Sequence, residues 1–168
     1  MSIYDSLGFA PELIAKLRYQ PVEVALLAIL RPELEPRGIK VHANVPGRPR
    51  IPFVLVRKLT FPGNWKGDPR GLVNKSQVAI HVYTQNPDGD LKGVVLGEIV
   101  SSILQDASDN HWSDPLFGAI TKIEMKNEPT RQSDWATSSG PVQYADLPEG
   151  AWRYEAHYEI TTRPAAVL

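Results

Sequence analysis

The C-terminal segment 151–163 constrains the fold more than any other part of this chain. Apolar and polar side chains alternate along it without a break, the apolar set being Trp152, Tyr154, Ala156, Tyr158 and Ile160, and the polar set Arg153, Glu155, His157, Glu159 and Thr161. Successive side chains of a strand point to opposite faces, so the pattern predicts one strand with an apolar and a charged face. At roughly 3.4 Å per residue it would be about 40 Å long, beyond the usual length. We expect it to complete a sheet whose polar face meets water or a partner.

Composition bounds the class of protein. The 168 residues suit a single domain, and 42% hydrophobic with 22% charged residues is ordinary for a soluble globular protein. The chain has no cysteine, which excludes disulfides, thiolate nucleophiles and cysteine-ligated metal sites. The N-terminus resembles no signal peptide, and the apolar run 24–30 is too short to span a bilayer. We therefore expect a soluble intracellular product without membrane association.

The near-neutral net charge of −1 hides an asymmetry along the chain. Residues 1–70 contain eleven Lys or Arg and six Asp or Glu, a net charge of +5, whereas residues 71–168 contain seven and thirteen, a net charge of −6. This split is either chance or the complementarity that a head-to-tail ring requires between neighbouring copies. The basic residues are scattered through loops rather than gathered in a stripe, which argues against specific nucleic-acid binding.

Three helices are predicted. A short one covers 10–18, and a second begins at Pro21 and ends near Pro32 and Pro36. The second is apolar on both sides, so we expect it to be covered on both, by the sheet and, as one option, by a neighbouring subunit. A third helix follows Asp88 or Asp90, either of which suits the N-cap. Its apolar stripe is expected to comprise Leu96, Ile99, Val100, Ile103, Leu104 and Ala107.

Five strands are predicted, near 39–45, 51–59, 77–84, 119–126 and 151–163, with long loops at 61–74 and 127–150. Short connections between consecutive strands favour antiparallel pairing. The expected fold is α+β: a single domain, residues 1–168, with a mostly antiparallel five-stranded sheet and helices packed on one face.

No combination of residues predicts a catalytic or metal site. His42, His81 and His157 lack repeated ligand spacings, and Asp106, Asp109, His111 and Asp114 lack the alternating ligands of a calcium loop. Ser138, Ser139, Asp146 and His157 supply the residue types of a hydrolase triad, but the nucleophile-elbow motif is missing. We therefore expect no enzymatic activity, no metal and no cofactor.

The candidate binding residues lie in the two long loops. Trp65 and Trp135 either fold back onto the core or anchor a protein interface, where aromatic and Arg side chains concentrate binding energy. The interface interpretation also includes neighbouring polar and aromatic residues, so that the full candidate set is Trp65, Lys66, Arg70, Arg131, Trp135 and Tyr144.

Three segments carry a resemblance to a known family. Segment 133–155, together with Ile-Pro-Phe-Val-Leu-Val-Arg at 51–57 and Val-Ala-Ile-His-Val-Tyr at 78–83, resembles the tail terminator proteins of long-tailed, non-contractile phages that infect mycobacteria and related hosts. The resemblance extends over most of the chain and is not centred on a catalytic motif.

The resemblance implies a structural role in the virion, with assembly in the host cytoplasm. It implies a small α+β subunit that forms a hexameric ring on the finished tail tube, stops tube polymerisation and presents the surface to which neck or head-completion proteins join. DNA would pass through the central hole without sequence recognition. The charged face of the last strand is the candidate lining of that hole, although the sequence leaves open which face lines it: Arg153, Glu155, His157 and Glu159.

Three alternatives remain open at the level of sequence. Another neck, head-completion or tail-tube component would share the resemblance, but a tube subunit would polymerise into filaments. A monomeric module that binds a peptide through loops 61–74 and 127–150 would stay monomeric at every concentration. A small hydrolase that uses Ser138 or Ser139 would react with a serine-directed probe.

Overall fold

A computed structural model describes residues 8–14, 17, 21–44, 50–59, 73–132 and 150–164. The described helices are α1 (Pro11–Ile14), α2 (Val22–Leu34), a 3-10 turn (Glu35–Arg37) and α3 (Gly89–Asp109). The strands are β1 (Lys40–His42), β2 (Phe53–Lys58), β3 (Asn74–Gln85), β4 (Ser113–Asp114), β5 (Gly118–Gln132) and β6 (Ala151–Arg163).

The strands form one mixed sheet that curls into a half-barrel. Their order across the sheet is β1-β2-β3-β6-β5-β4, and every pair is antiparallel except β1 with β2. The α+β class is therefore correct, whereas the expectation of five mostly antiparallel strands is wrong in the number of strands and in the parallel edge pair. The missed strand, β4, has only two residues, too few to produce an alternating pattern.

The predicted long strand has the expected bounds but lies at the centre of the sheet. β6 pairs with β3 on one side, from Asn74↔Thr162 to Gln85↔Ala151, and with β5 on the other. A strand hydrogen-bonded along both edges cannot also end a sheet, so its polar face is part of a broad surface shared with β3 and β5. Proline, which cannot donate to a ladder, follows directly at position 164.

The hydrophobic core lies between one face of this sheet and the helices α2 and α3. The apolar residues of β6 are buried as predicted, namely Tyr154, Ala156, Tyr158 and Ile160. They pack in one cluster with Leu26 and Leu30 of α2 and with Val100 and Leu104 of α3. Val24 and Leu27, on the second side of α2, are buried as well within the single chain. This helix therefore offers little apolar surface to a second copy.

Small residues allow α3 to lie unusually close to the sheet. A Cβ added at Gly93 would be 2.4 Å from the Tyr154 ring, and one added at Gly89 would be 2.4 Å from Trp152 Cδ1. Two turns beyond Gly93, Ser101 Oγ lies 2.7 Å from the hydroxyl of Tyr158. The Tyr154 hydroxyl donates to Asp90. Aromatic rings of β6 thus occupy the space that larger helix side chains would fill.

α2 ends at Leu34, between Pro32 and Pro36 as predicted, whereas one strand boundary is wrong for a local reason. The strand predicted to end at 126 continues to Gln132, because register shifts after Ile120, Met125 and Asn127 interrupt the alternation without ending the pairing. Residues 127–132 are therefore strand rather than loop.

The apolar stripe predicted for α3 contains one wrong residue. Leu96, Val100, Leu104 and Ala107 are buried, but the Ile99 side chain is exposed on the side of the helix away from the sheet. Helical spacing alone could not decide this, because α3 carries apolar residues on two faces. Its second apolar face is thus available for contacts outside the core.

Candidate functional surface: the charged face of the sheet

The sheet face opposite α2 and α3 has an apolar half and a charged half. In the apolar half, Phe53 of β2 stacks on Tyr83 of β3 with ring centroids 4.4 Å apart and planes inclined by 11°. Leu55 completes this small buried cluster, with half-buried Ile51 beside it. The β2 side of this face is therefore a buried hydrophobic cluster rather than a binding surface for ions.

The charged half is formed by β3, β6 and β5, where lysines of β3 and β5 form ion pairs with carboxylates of β6 and β5. Glu159 of β6 lies between Lys75 Nζ and Lys126 Nζ, at 3.8 Å from each. Lys126 also pairs with Glu124 at 3.1 Å, and Lys122 pairs with the same carboxylate. The two lysines lower the pKa of Glu124 to about 2. Each carboxylate is thus shared by two lysines.

A second group on this face is centred on Glu155 of β6. Its carboxylate lies 2.6 Å from Nε2 of His157 and 3.4 Å from Nδ1 of His81 on the neighbouring strand. Burial lowers the pKa of His81 to about 4, against the opposing effect of Glu155, which raises it. His81 is consequently neutral at pH 7, and its buried ring separates the apolar half from the charged half.

The four polar residues predicted to line a hole, Arg153, Glu155, His157 and Glu159, all lie on this face. Their alternation with the buried residues of β6 holds through Ile160. Their role as a lining remains a prediction. Their partners from β3 and β5 were missed, although Lys122, Glu124 and Lys126 follow one another at every second position and that spacing was the available signal.

Of the predicted interface residues, Arg131 alone lies in the described part of the chain. Arg131 pairs in register with Tyr154, and its guanidinium carbon lies 3.9 Å from the centroid of the Trp152 ring. Nε1 of Trp152 donates to Asn86 at 2.9 Å. Arg131 is therefore on the helix-bearing side of the sheet, away from the charged face. The other predicted members lie outside the described residues: Trp65, Lys66, Arg70, Trp135 and Tyr144.

The described parts of the chain contain neither a metal-binding cluster nor a membrane-spanning helix. No three His, Asp or Glu side chains there are grouped closely enough to hold a metal ion, and no helix is long and apolar enough to cross a bilayer. Ser138, Ser139 and Asp146 of the triad alternative lie in the part of the chain that is not described.

No protein-family model and no curated protein matches this chain.

Proposed function

We propose that this chain is a structural subunit of a long-tailed phage that forms a ring at the head-proximal end of the tail tube. The ring ends tube polymerisation and provides the surface to which neck proteins join. The proposal rests on the resemblance of segments 51–57, 78–83 and 133–155 to tail terminators, and on the chemistry of two surfaces.

The observation that carries the proposal is the pairing of opposite charges on the sheet face opposite α2 and α3. Each phosphate that a protein neutralises adds affinity for DNA. A channel through which DNA moves should therefore bind phosphate weakly, which it does when its basic side chains are already neutralised by carboxylates of the protein. Lys75, Lys122 and Lys126 are placed in that way, because each lies within ion-pair distance of Glu124 or Glu159.

A second support is apolar surface on the helix side of the molecule. Leu91, Val94, Val95 and Ile99 of α3 are exposed, although monomeric proteins rarely leave neighbouring large apolar side chains in water. A subunit that packs against other copies requires such a surface. The charged face and the apolar face lie on opposite sides of the chain, as a ring subunit with a polar channel requires.

A capping assay tests the proposal. The tube-forming protein of the same virus is polymerised with and without this chain, and tube lengths are measured by negative-stain electron microscopy. We expect shorter tubes that carry a ring at one end. The control is Leu34→Asp, which places a carboxylate at a fully buried core position and prevents folding.

Two results of the capping assay would contradict the proposal. Unchanged tube lengths, with the chain absent from the ends, would remove the terminator role. Incorporation of the chain along the whole tube would instead identify it as a tube component.

A further inference from the structure

Glu155 and His81 lie within a group of basic side chains on the charged face. The two residues are directly opposite each other on β6 and β3, and Nδ1 of His81 lies 3.4 Å from the Glu155 carboxylate. Nε2 of His157 lies 2.6 Å from the same carboxylate. Arg153 of β6 and Arg57 of β2 are close enough to act electrostatically on His81. We define these five residues as the imidazole group of the charged face.

The strands on either side of β6 add no second carboxylate to the imidazole group. On β5, the residues in register with Glu155 and His157 are Thr130 and Asn127, which are uncharged. On β3, the residue in register with His157 is Ala79. Among the described residues of the group, one carboxylate therefore faces two imidazoles and two guanidinium groups.

The next carboxylate along β6 is already shared by two lysines. Glu159 lies two residues from His157 on the same face, and it is 3.8 Å from Nζ of Lys75 and from Nζ of Lys126. Glu155 alone cannot offset two imidazolium charges. Proton uptake by the imidazole group therefore adds positive charge to the face.

The two imidazoles of the group differ in burial. His81 is 5% exposed, and burial lowers its pKa to about 4. His157 is half-buried, and it keeps contact with water. Histidine is the side chain that ordinarily changes its charge between about pH 5 and 8. Mild acid therefore charges His157 first and leaves His81 neutral.

We propose that the imidazole group makes the charged face a proton-controlled surface for the phosphates of duplex DNA. At neutral pH the face lets DNA pass, and in mild acid it holds the DNA, because each additional phosphate that is neutralised adds affinity. The inference rests on the channel proposed above and adds a control to it.

Filter binding of a short linear duplex at pH 7, 6 and 5, over a range of salt concentrations, tests the proposal. We expect the affinity of the unsubstituted protein to rise several-fold from pH 7 to pH 5. The slope of log affinity against log salt should grow by roughly 0.9 for each phosphate newly contacted. His157→Gln should abolish most of this rise, because glutamine can still donate to Glu155 but takes up no proton. An equal rise in both proteins would overturn the proposal.

Two further variants separate the imidazole group from general effects of acid. His81→Gln should retain the rise, because His81 is mostly neutral down to pH 5. His111→Gln removes an exposed imidazole in the turn after α3, outside the charged face, and should retain the rise as well. A loss in His111→Gln as large as that in His157→Gln would overturn the proposal, since net charge would then explain the response. Circular dichroism verifies that each protein is folded at each pH.

The light-scattering mass of the unsubstituted protein separates failure of this control from failure of the ring. A six-copy mass without the pH response overturns the control and leaves the ring intact. A pH response that depends on His157 in a protein that stays a single chain supports the phosphate surface and overturns the ring. A single-chain mass without the response overturns both.

Discussion

His81 is an ionisable residue whose surroundings keep it uncharged. Burial lowers its pKa from the ordinary 6.5 to about 4; nearby Glu155 acts to raise this pKa, whereas Arg153, Arg57 and His157 act to lower it. The unfolded chain therefore takes up a proton between about pH 6.5 and 4 that the folded chain does not. The free energy of unfolding must fall as the pH falls through this window, and the full contribution is present above pH 6.5.

We predict that His81→Gln removes part of this acid sensitivity. Melting temperatures of the unsubstituted protein and of His81→Gln are measured at pH 7, 6 and 5. The difference between the two melting temperatures should shrink as the pH decreases, because only the unsubstituted protein loses the stability that neutral His81 contributes. Each protein's own melting temperature at pH 7 is its reference. Parallel pH profiles would show that the burial of His81 does not influence stability.

Gly93 tests the close approach of α3 to the sheet. We predict that Gly93→Ala destabilises the fold by about 1–3 kcal/mol, since the new methyl group would overlap the Tyr154 ring, which is held by Asp90. The higher helix propensity of alanine offsets about 1 kcal/mol of this cost. Thermal unfolding of Gly93→Ala is compared with that of Ser102→Ala, at an exposed position of the same helix. Equal stability of the two variants would mean that α3 can move away from β6 freely.

At the scale of elements, the two faces of β6 should differ in energy. We predict that Ile160→Ala costs about 2–5 kcal/mol, because the side chain is fully buried. Glu159→Gln, one residue away on the charged face, should cost less than about 1 kcal/mol, because ion pairs in contact with solvent contribute little. Urea denaturation measures both. A larger loss for Glu159→Gln would reverse the assignment of the faces.

The charged face should bind DNA more tightly when its carboxylates are removed. We predict that Glu124→Gln with Glu159→Gln raises the affinity for a short linear duplex, because Lys75, Lys122 and Lys126 lose the carboxylates that pair with them. The slope of log affinity against log salt should grow by roughly 0.9 for each phosphate newly contacted.

Filter binding over a range of salt concentrations measures this effect. The control, Glu33→Gln with Asp106→Asn, makes the same change in net charge at exposed positions of α2 and α3. An equal rise in affinity in the control would show that net charge, rather than the pairing on the sheet face, limits DNA binding.

Sequence periodicity predicted a helix or strand and its buried face correctly where only one face of that element was apolar. β6 alternates from 151 to 163, and its bounds were predicted correctly. α3 was harder, because it has apolar residues on both its buried and exposed faces, and Ile99 was assigned to the wrong one. The parallel edge strand β1 has three residues, and nothing in so short a segment indicates the direction of its partner.

At the scale of the whole molecule, the sequence predicted the class of fold but not the composition of the charged surface. The alternating pattern predicted which residues of β6 lie on that face. Their contacts with Lys75, Lys122 and Lys126 form only because β6 lies between β3 and β5. Strand order depends on long-range contacts that a local pattern does not encode. The predicted tryptophan interface was centred on loops outside the described residues, and Arg131 lies on the other side of the sheet from the charged face.

The closed ring is the central claim, and its mass tests it most directly. The purified protein is passed over a sizing column with light scattering detection, and the peak is imaged in negative stain. The subunit mass is 18.7 kDa, so six copies should give about 112 kDa and a visible central hole. A mass of 18.7 kDa that does not change with concentration would contradict the account and favour a monomeric binding module.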